Sequence, residues 1–238
     1  MNNKLIILIL LFVAVALGVL ALKPAQTERL TLRFKPLVGT QPLVIESADY
    51  ANPLGEGRFS VRNLRFFISN IELVADDYRH QVADSYHLLK FSQTANQDSV
   101  ILTDIPAYQY HSLILNIGVD EQANHSIQLR GDLDPNSQMA WSWDAGYKFL
   151  VLEGGLVNDQ QFTPLVYHVG FSENLRSLQF ALNSRHLQEG VMTLSLDIEK
   201  LFDGVHKLDP AHLPGIKFDP DDARLMADNY AAMFRLVE

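Results

Sequence analysis

Apolar residues recur at every second position through most of this chain. In Leu30-Thr-Leu-Arg-Phe34 they fall on even positions, while Arg29, Thr31, Arg33 and Lys35 take the odd ones. That is the period of a half-buried strand, whose successive side chains point to opposite faces. Residues 191–198 repeat it, with Met192, Leu194, Leu196 and Ile198 on one face and Thr193, Ser195 and Asp197 on the other. Leu178, Phe180 and Leu182 do the same. In residues 59–74 the apolar parity switches near Ser69-Asn70, which predicts a bulge or bend inside one long strand. Residues 99–104, 110–119, 147–152 and 165–171 are further strand candidates, separated by turn signals such as Asn52-Pro-Leu-Gly55 and Asp134-Pro-Asn136.

One segment departs from this period. Asp219 suits an N-cap and Pro220 the first helical position, and Leu225, Met226, Tyr230, Met233, Phe234 and Val237 line up as one apolar stripe. Many short alternating strands and one closing helix predict an all-β fold: an antiparallel β-sandwich with a C-terminal helix, in a single domain over residues 28–238.

The N-terminus reads differently again. Lys4 precedes an unbroken apolar run from Leu5 to Leu22, and no acidic residue occurs before Glu28. Residues 1–22 therefore read as a signal peptide cleaved after Val19-Leu-Ala21, or as an uncleaved membrane anchor, since the run reaches the lower limit for spanning a bilayer. Either reading places the rest of the chain in the periplasm or another extracytoplasmic space. The chain has no cysteine, which leaves no disulfide, no thiolate ligand and no cysteine-linked lipid. Its net charge of −9, without a basic run interleaved with aromatics, argues against nucleic acid as a partner.

Candidate chemistry is sparse. Asp132, Asp134 and Asn136 have the D-x-D-x-N spacing of a calcium loop. Ser137 stands where an EF-hand needs glycine and Trp143 where it needs glutamate, so Asx residues satisfying a turn are the competing reading. No pair of the eight histidines has metal-site spacing. His168 points away from Tyr167, Val169 and Phe171, and His111 ends the row of Leu113, Leu115 and Ile117; each alone reads as a hydrogen-bonded structural imidazole. There is no G-x-S-x-G elbow and no phosphate-binding glycine loop, and nothing nominates an enzyme. Both tryptophans sit in Met139-Ala-Trp-Ser-Trp-Asp-Ala-Gly-Tyr147. An extended segment puts Met139, Trp141 and Trp143 on one side, either as a core row or as an exposed stacking platform for a sugar-like ligand.

The ordered blocks Phe66-Phe-Ile-Ser-Asn-Ile71, Tyr86-His-Leu-Leu89, Ile117-Gly-Val-Asp120, Gly131-Asp-Leu-Asp-Pro135, Met139-Ala-Trp-Ser-Trp143, Gly146-Tyr147, Leu152-Glu-Gly154 and Tyr167-His-Val-Gly170 resemble the MbnP-like family of exported, copper-associated proteins. The resemblance runs from about Leu30 to Leu201-Phe-Asp-Gly204. It implies copper as the bound ion and a di-haem cytochrome c peroxidase as a partner that oxidises a tryptophan to kynurenine. On this sequence it assigns Trp141, then Trp143, as the modified residue and His168 as a copper ligand. The neighbours of Trp141 include no histidine, so the resemblance leaves the place of a second imidazole to His111 or His87, wherever the fold brings one close. Opening an indole exposes an aryl amine, a ligand that the donor-only indole N–H does not provide, and Cu(I) accepts such a nitrogen set.

Overall fold

The computed structural model describes residues 27–46, 50–126, 131–142 and 146–237. The apolar leader expected at 1–22 and Trp143 lie outside them. In chain order the strands are β1 (Thr27–Val38), β2 (Gln41–Pro42), β3 (Tyr50–Ala51), β4 (Arg58–Val74), β5 (Arg79–Gln81), β6 (Tyr86–Ser92), β7 (Asn96–Gln97) and β8 (Ser99–Pro106). They continue with β9 (Ser112–Ile117), β10 (Ala140–Ser142), β11 (Gly146–Asn158), β12 (Gln161–Gly170), β13 (Arg176–Ala181), β14 (Val191–Asp197), β15 (Gly215–Ile216) and β16 (Phe234–Leu236). The helices are α1 (Glu121–Asn124), α2 (Ser184–Glu189) and α3 (Pro220–Ala232).

Two sheets form a β-sandwich. The smaller runs β16-β14-β1-β2, with β8 also on β1, and the larger runs β13-β9-β4-β11-β12-β15. β4 is the spine of the larger sheet. Asn63–Phe66 pair with β6 on one edge and β11 on the other, whereas Ile68 and Ser69 pair with β6 and β9. One edge of β4 is therefore shared end to end by β11 and β9. The parity switch at Ser69-Asn70 is a real irregularity: Asn70 has φ of 50° and the β4–β9 register shifts between Ser69 and Glu72.

The main core lies between the sheets. Leu30, Leu32 and Phe34 of β1 and Met192, Leu194 and Leu196 of β14 meet Phe66 and Ile68 of β4, Leu150 and Leu152 of β11, and Tyr167 and Val169 of β12. Burial of these alternate positions is what drives the layers together. A second cluster covers the outer face of the larger sheet, where Phe67, Leu88, Phe149 and Val151 pack under Ala123, Leu133, Met139 and Tyr147.

The expected β-sandwich with its C-terminal helix is found, and its sheets are mixed: β1–β14 and β12–β15 pair in parallel, the other strand pairs being antiparallel. Alternation reports which face is buried and carries no information about strand direction. The C-terminal stripe also divides. Asp219 accepts from Asp222 N as expected, and Pro220 sits in the first turn, but the helix stops at Ala232. Phe234–Leu236 then pair with β14, because the open edge of that strand offers backbone hydrogen bonds that an extended Phe234-Arg-Leu236 can take. The short helices α1 and α2, capped by Asp120 and Asn183, carry too few turns to leave a period in the sequence.

Candidate functional site

The tryptophan segment turns back on itself at β10. Ala140 pairs with Tyr147 and Ser142 with Gly146, so two steps on one strand face one on the other, a bulge. Met139 is fully buried in the outer-face cluster, while the half-buried Trp141 packs on Phe171 and Phe218, each with ring centroids 5.1 Å away. Met139 is enclosed in that cluster, whereas part of the Trp141 ring stays exposed. Trp141 lies over Gly170, where a Cβ would sit 2.8 Å from the indole Cζ3. Only glycine permits this approach.

Gly170 and His168 share a face of β12, about 6.6 Å apart at ~3.3 Å per residue. His168 is aligned with Val151 and through it with Arg65, on the outer face of the sheet. A polar chain crosses three strands here. Arg65 Nε donates to Asn63 Oδ1 at 3.0 Å, Asn63 Nδ2 to Glu153 Oε2 at 3.1 Å, and His168 Nε2 lies 3.1 Å from Glu153 Oε1. Arg62 adds a 3.9 Å ion pair to the same carboxylate.

Burial alone would raise the Glu153 pKa, but hydrogen bonds from Asn63 and His168, with the charges of His168 and Arg62, outweigh it and hold the carboxyl below its ordinary value. Burial pushes the His168 pKa down, and nearby Lys148 and Lys217 add to that, against the opposing hydrogen bond and charge of Glu153. At neutral pH an ionised Glu153 can only accept, so Nε2–H donates and Nδ1 keeps its lone pair. Both shifts have the same consequence for stability. The unfolded chain binds the proton more readily, so the contribution of His168 is present above about pH 6.5 and is lost as pH falls from there towards its folded pKa; that of Glu153 is lost as pH falls through its own folded pKa. Glu153→Gln is expected to move the His168 pKa further down, as read from its ring protons by NMR titration. An upward shift would show that Glu153 does not favour the charged imidazole.

The other expected ligands lie elsewhere. His111 N donates to Val74 O, and its ring contacts Ser112 Oγ at 2.9 Å and Asp76 Oδ1 at 3.7 Å. Arg65 and Val74 are separated by roughly 25–30 Å of extended strand, so His111 cannot join His168. His87 is aligned with Ile68 of the inner core and points to the opposite face of the sheet from His168. Its Nε2 is buried without a hydrogen-bond partner among the described residues, and burial, opposed by the charge of Asp132, lowers its pKa. The place of a second imidazole beside Trp141 is thus filled by neither residue. Asp132 accepts from Leu88 N at 2.8 Å and Asp134 from Asn136 N at 2.8 Å, so the possible calcium loop is a pair of backbone-satisfying carboxylates aimed at different partners. Among the described residues no group of three or more His, Asp or Glu is placed to hold a metal.

Glu153 and Asn63, which position His168, escaped the sequence reading, as did Gly170, Phe171 and Phe218 as the seat of Trp141. The one available signal was Glu153 as the lone charge within the apolar run from Phe149 to Val157.

A family model described as MbnP matches residues 27–218. The chain belongs to the MbnP family. Among solved structures it is similar to MbnP from Methylosinus trichosporium, with a TM-score of 0.63 and 19% identity over 89% of this chain and 98% of that one, a likeness of fold. No curated protein matches. The MbnP match ends at Phe218, so it takes in the whole Trp141 seat and the His168 network and leaves α3 outside.

Proposed function

We propose that this chain is an extracytoplasmic member of the MbnP family, not itself an enzyme, that handles copper after a partner di-haem peroxidase has oxidised Trp141 to kynurenine. The observation that carries this reading is the placement of a half-buried Trp141 over Gly170, on the strand face that also carries His168. The indole is accessible to an external oxidant and is held by three apolar neighbours. No helix among the described residues is long and apolar enough to cross a membrane.

The oxidation balances with peroxide as oxidant. Two equivalents insert two oxygen atoms across the indole C2–C3 bond and leave as two waters, and hydrolysis then releases C2 as formate. An aryl amine and an aryl ketone remain. That amine and His168 form a two-nitrogen donor set of the kind Cu(I) accepts at low coordination, and copper is the cargo held there. Peptide mass spectrometry of protein isolated from its native compartment should find one carbon lost and one oxygen gained at Trp141. Trp141→Phe and His168→Ala should each abolish stoichiometric Cu(I) retention. If neither does, the site is misassigned. Phe218, 63% exposed beside Trp141, favours one other use, an aromatic shelf for a flat apolar or sugar-like ligand. An intact tryptophan together with no copper uptake would point there.

A further inference from the structure

The apolar cluster on the outer face of the larger sheet stops at Val151, but the sheet runs on past it. Phe162 of β12 is aligned with Val157 of β11 and through it with Arg58 of β4; Pro164 is aligned with Gly155 and through it with Ser60. At even spacing from His168 on β12, Phe162 and Pro164 lie on the same outer face. Phe162 is 60% exposed and Val157 43%. The Phe162 ring is seated all the same: it lies across Gly155, where a Cβ would come within 2.1 Å of the ring Cε2. Glycine thus holds an exposed aromatic against the sheet at this end, as Gly170 holds the indole at the other. Phe218, beside Trp141, is a further exposed ring.

The charge of this face is opposite to that of the chain, which is −9 overall. Arg58 and Lys217 are exposed. Arg62 joins them through a slip in register: the β4–β11 pairing shifts between Glu153 and Gly154, which leaves Arg62 as the extra residue. Its side chain is 58% exposed. Ile216 is aligned with the inward-facing Tyr167, so Lys217 falls on the outer face next to His168. Glu153 is the one carboxylate among the residues aligned on this stretch, and Asn63 and His168 already occupy its oxygens. Asp159 lies in the β11–β12 turn beyond Phe162, and Asp219 is taken up in capping α3. At 0.15 M salt, charges more than about 8 Å away are screened, so a docked surface meets the local cations and not the net charge. From Phe162 to Gly170 the face is about 26 Å long, and roughly 15 Å wide from β4 to Lys217. With an equal share from a partner, that area stays below the ~1,200 Å² of a stable complex and suits a transient one.

We infer that the partner that oxidises Trp141 docks on this face through an acidic surface of its own, its apolar part covering Phe162 and Val157 and its carboxylates meeting Arg58, Arg62 and Lys217. The inference rests on the proposed oxidation of Trp141 and adds where the oxidant sits and what its surface must carry. Weak docking fits an oxidant that has to leave before copper can enter. The test uses residues too far from Trp141 to touch it. The full-length parent, Phe162→Ser, Arg58→Glu and Arg58→Lys each replace the native copy in the native host. Mass spectrometry follows the oxidised fraction of the Trp141 peptide with time after induction, and thermal melts check each fold. Phe162→Ser and Arg58→Glu should be oxidised about tenfold more slowly, the scale of a lost steering charge, whereas Arg58→Lys keeps the parent rate. Phe162→Ser alters an exposed ring, so it decides the matter even if Arg58→Glu fails to fold. An oxidised parent with both variants folded and oxidised at the parent rate overturns the docking face alone. So does an Arg58→Lys chain as slow as Arg58→Glu, because the partner would then not be reading charge. A parent whose Trp141 stays intact overturns the proposed function, and the docking face with it.

Discussion

Gly170→Ala is expected to lower stability by roughly 2–3 kcal/mol, the upper range for overpacking a filled site, and to dislodge the Trp141 ring. The added methyl would sit 2.5 Å from Tyr147 O and 2.8 Å from the indole Cζ3. Tyr147 O is backbone in a strand paired on both sides, so it cannot retreat cheaply. The ring is the only neighbour able to move, and moving it costs the contacts with Phe171 and Phe218. Thermal melts should record a drop in Tm of roughly 4–12 °C, at about 2–4 °C per kcal/mol for a chain of this size. The proposed function adds a second expectation: Trp141 in the variant should escape oxidation even when the fold is retained at low temperature. A variant as stable as the parent would mean that Trp141 is not seated on Gly170.

A larger loss is expected from Asn229→Leu. Asn229 is fully buried on α3, and its amide serves three backbone groups: His206 N donates to Oδ1 at 2.8 Å, and Nδ2 donates to Leu201 O at 2.9 Å and to His206 O at 2.8 Å. Leucine keeps the branched skeleton of the side chain, is larger, and satisfies none of them. Each orphaned buried group costs about 1–3 kcal/mol, less than additively when they share one loop. A net loss of about 4 kcal/mol follows, or roughly 8–16 °C in Tm. Neighbouring residues make the loss cooperative. Asp228 bonds Arg176 at 2.8 Å and His206 at 2.9 Å, and Tyr230 donates to Asn174 O, so three consecutive helical residues stitch α3 to two separate loops. A loss below 1 kcal/mol would show that the 201–206 loop is held by something other than this amide.

The strands were legible because one face of each is buried, and burial at alternate positions writes itself into the sequence. The start of β14, the bulge at Ser69-Asn70 and the cap at Asp219 all have local causes. What was hidden depends on partners far along the chain. Phe234-Arg-Leu236 reads as the end of a helical stripe until β14 offers an edge. The register shift between Ala140 and Ser142 is set by Tyr147 and Gly146 and has no local signal. At the candidate site, Trp141 and His168 could be named from their blocks, but the glycine that lets them share a face could not. His111 and His87 looked interchangeable with His168, and only the length of β4 and the parity of β6 separate them.

The middle position of β1 in its sheet bears on how the leader could be used. β1 is gripped along Thr31–Leu37 by β14, and along Glu28–Arg33 by β8 on its other edge. A tug applied through the chain ahead of Thr27 runs along the strand, so it loads these hydrogen bonds side by side in shear instead of peeling them one at a time. A domain tethered by its N-terminus would then carry the load on a strand held along both edges of its smaller sheet.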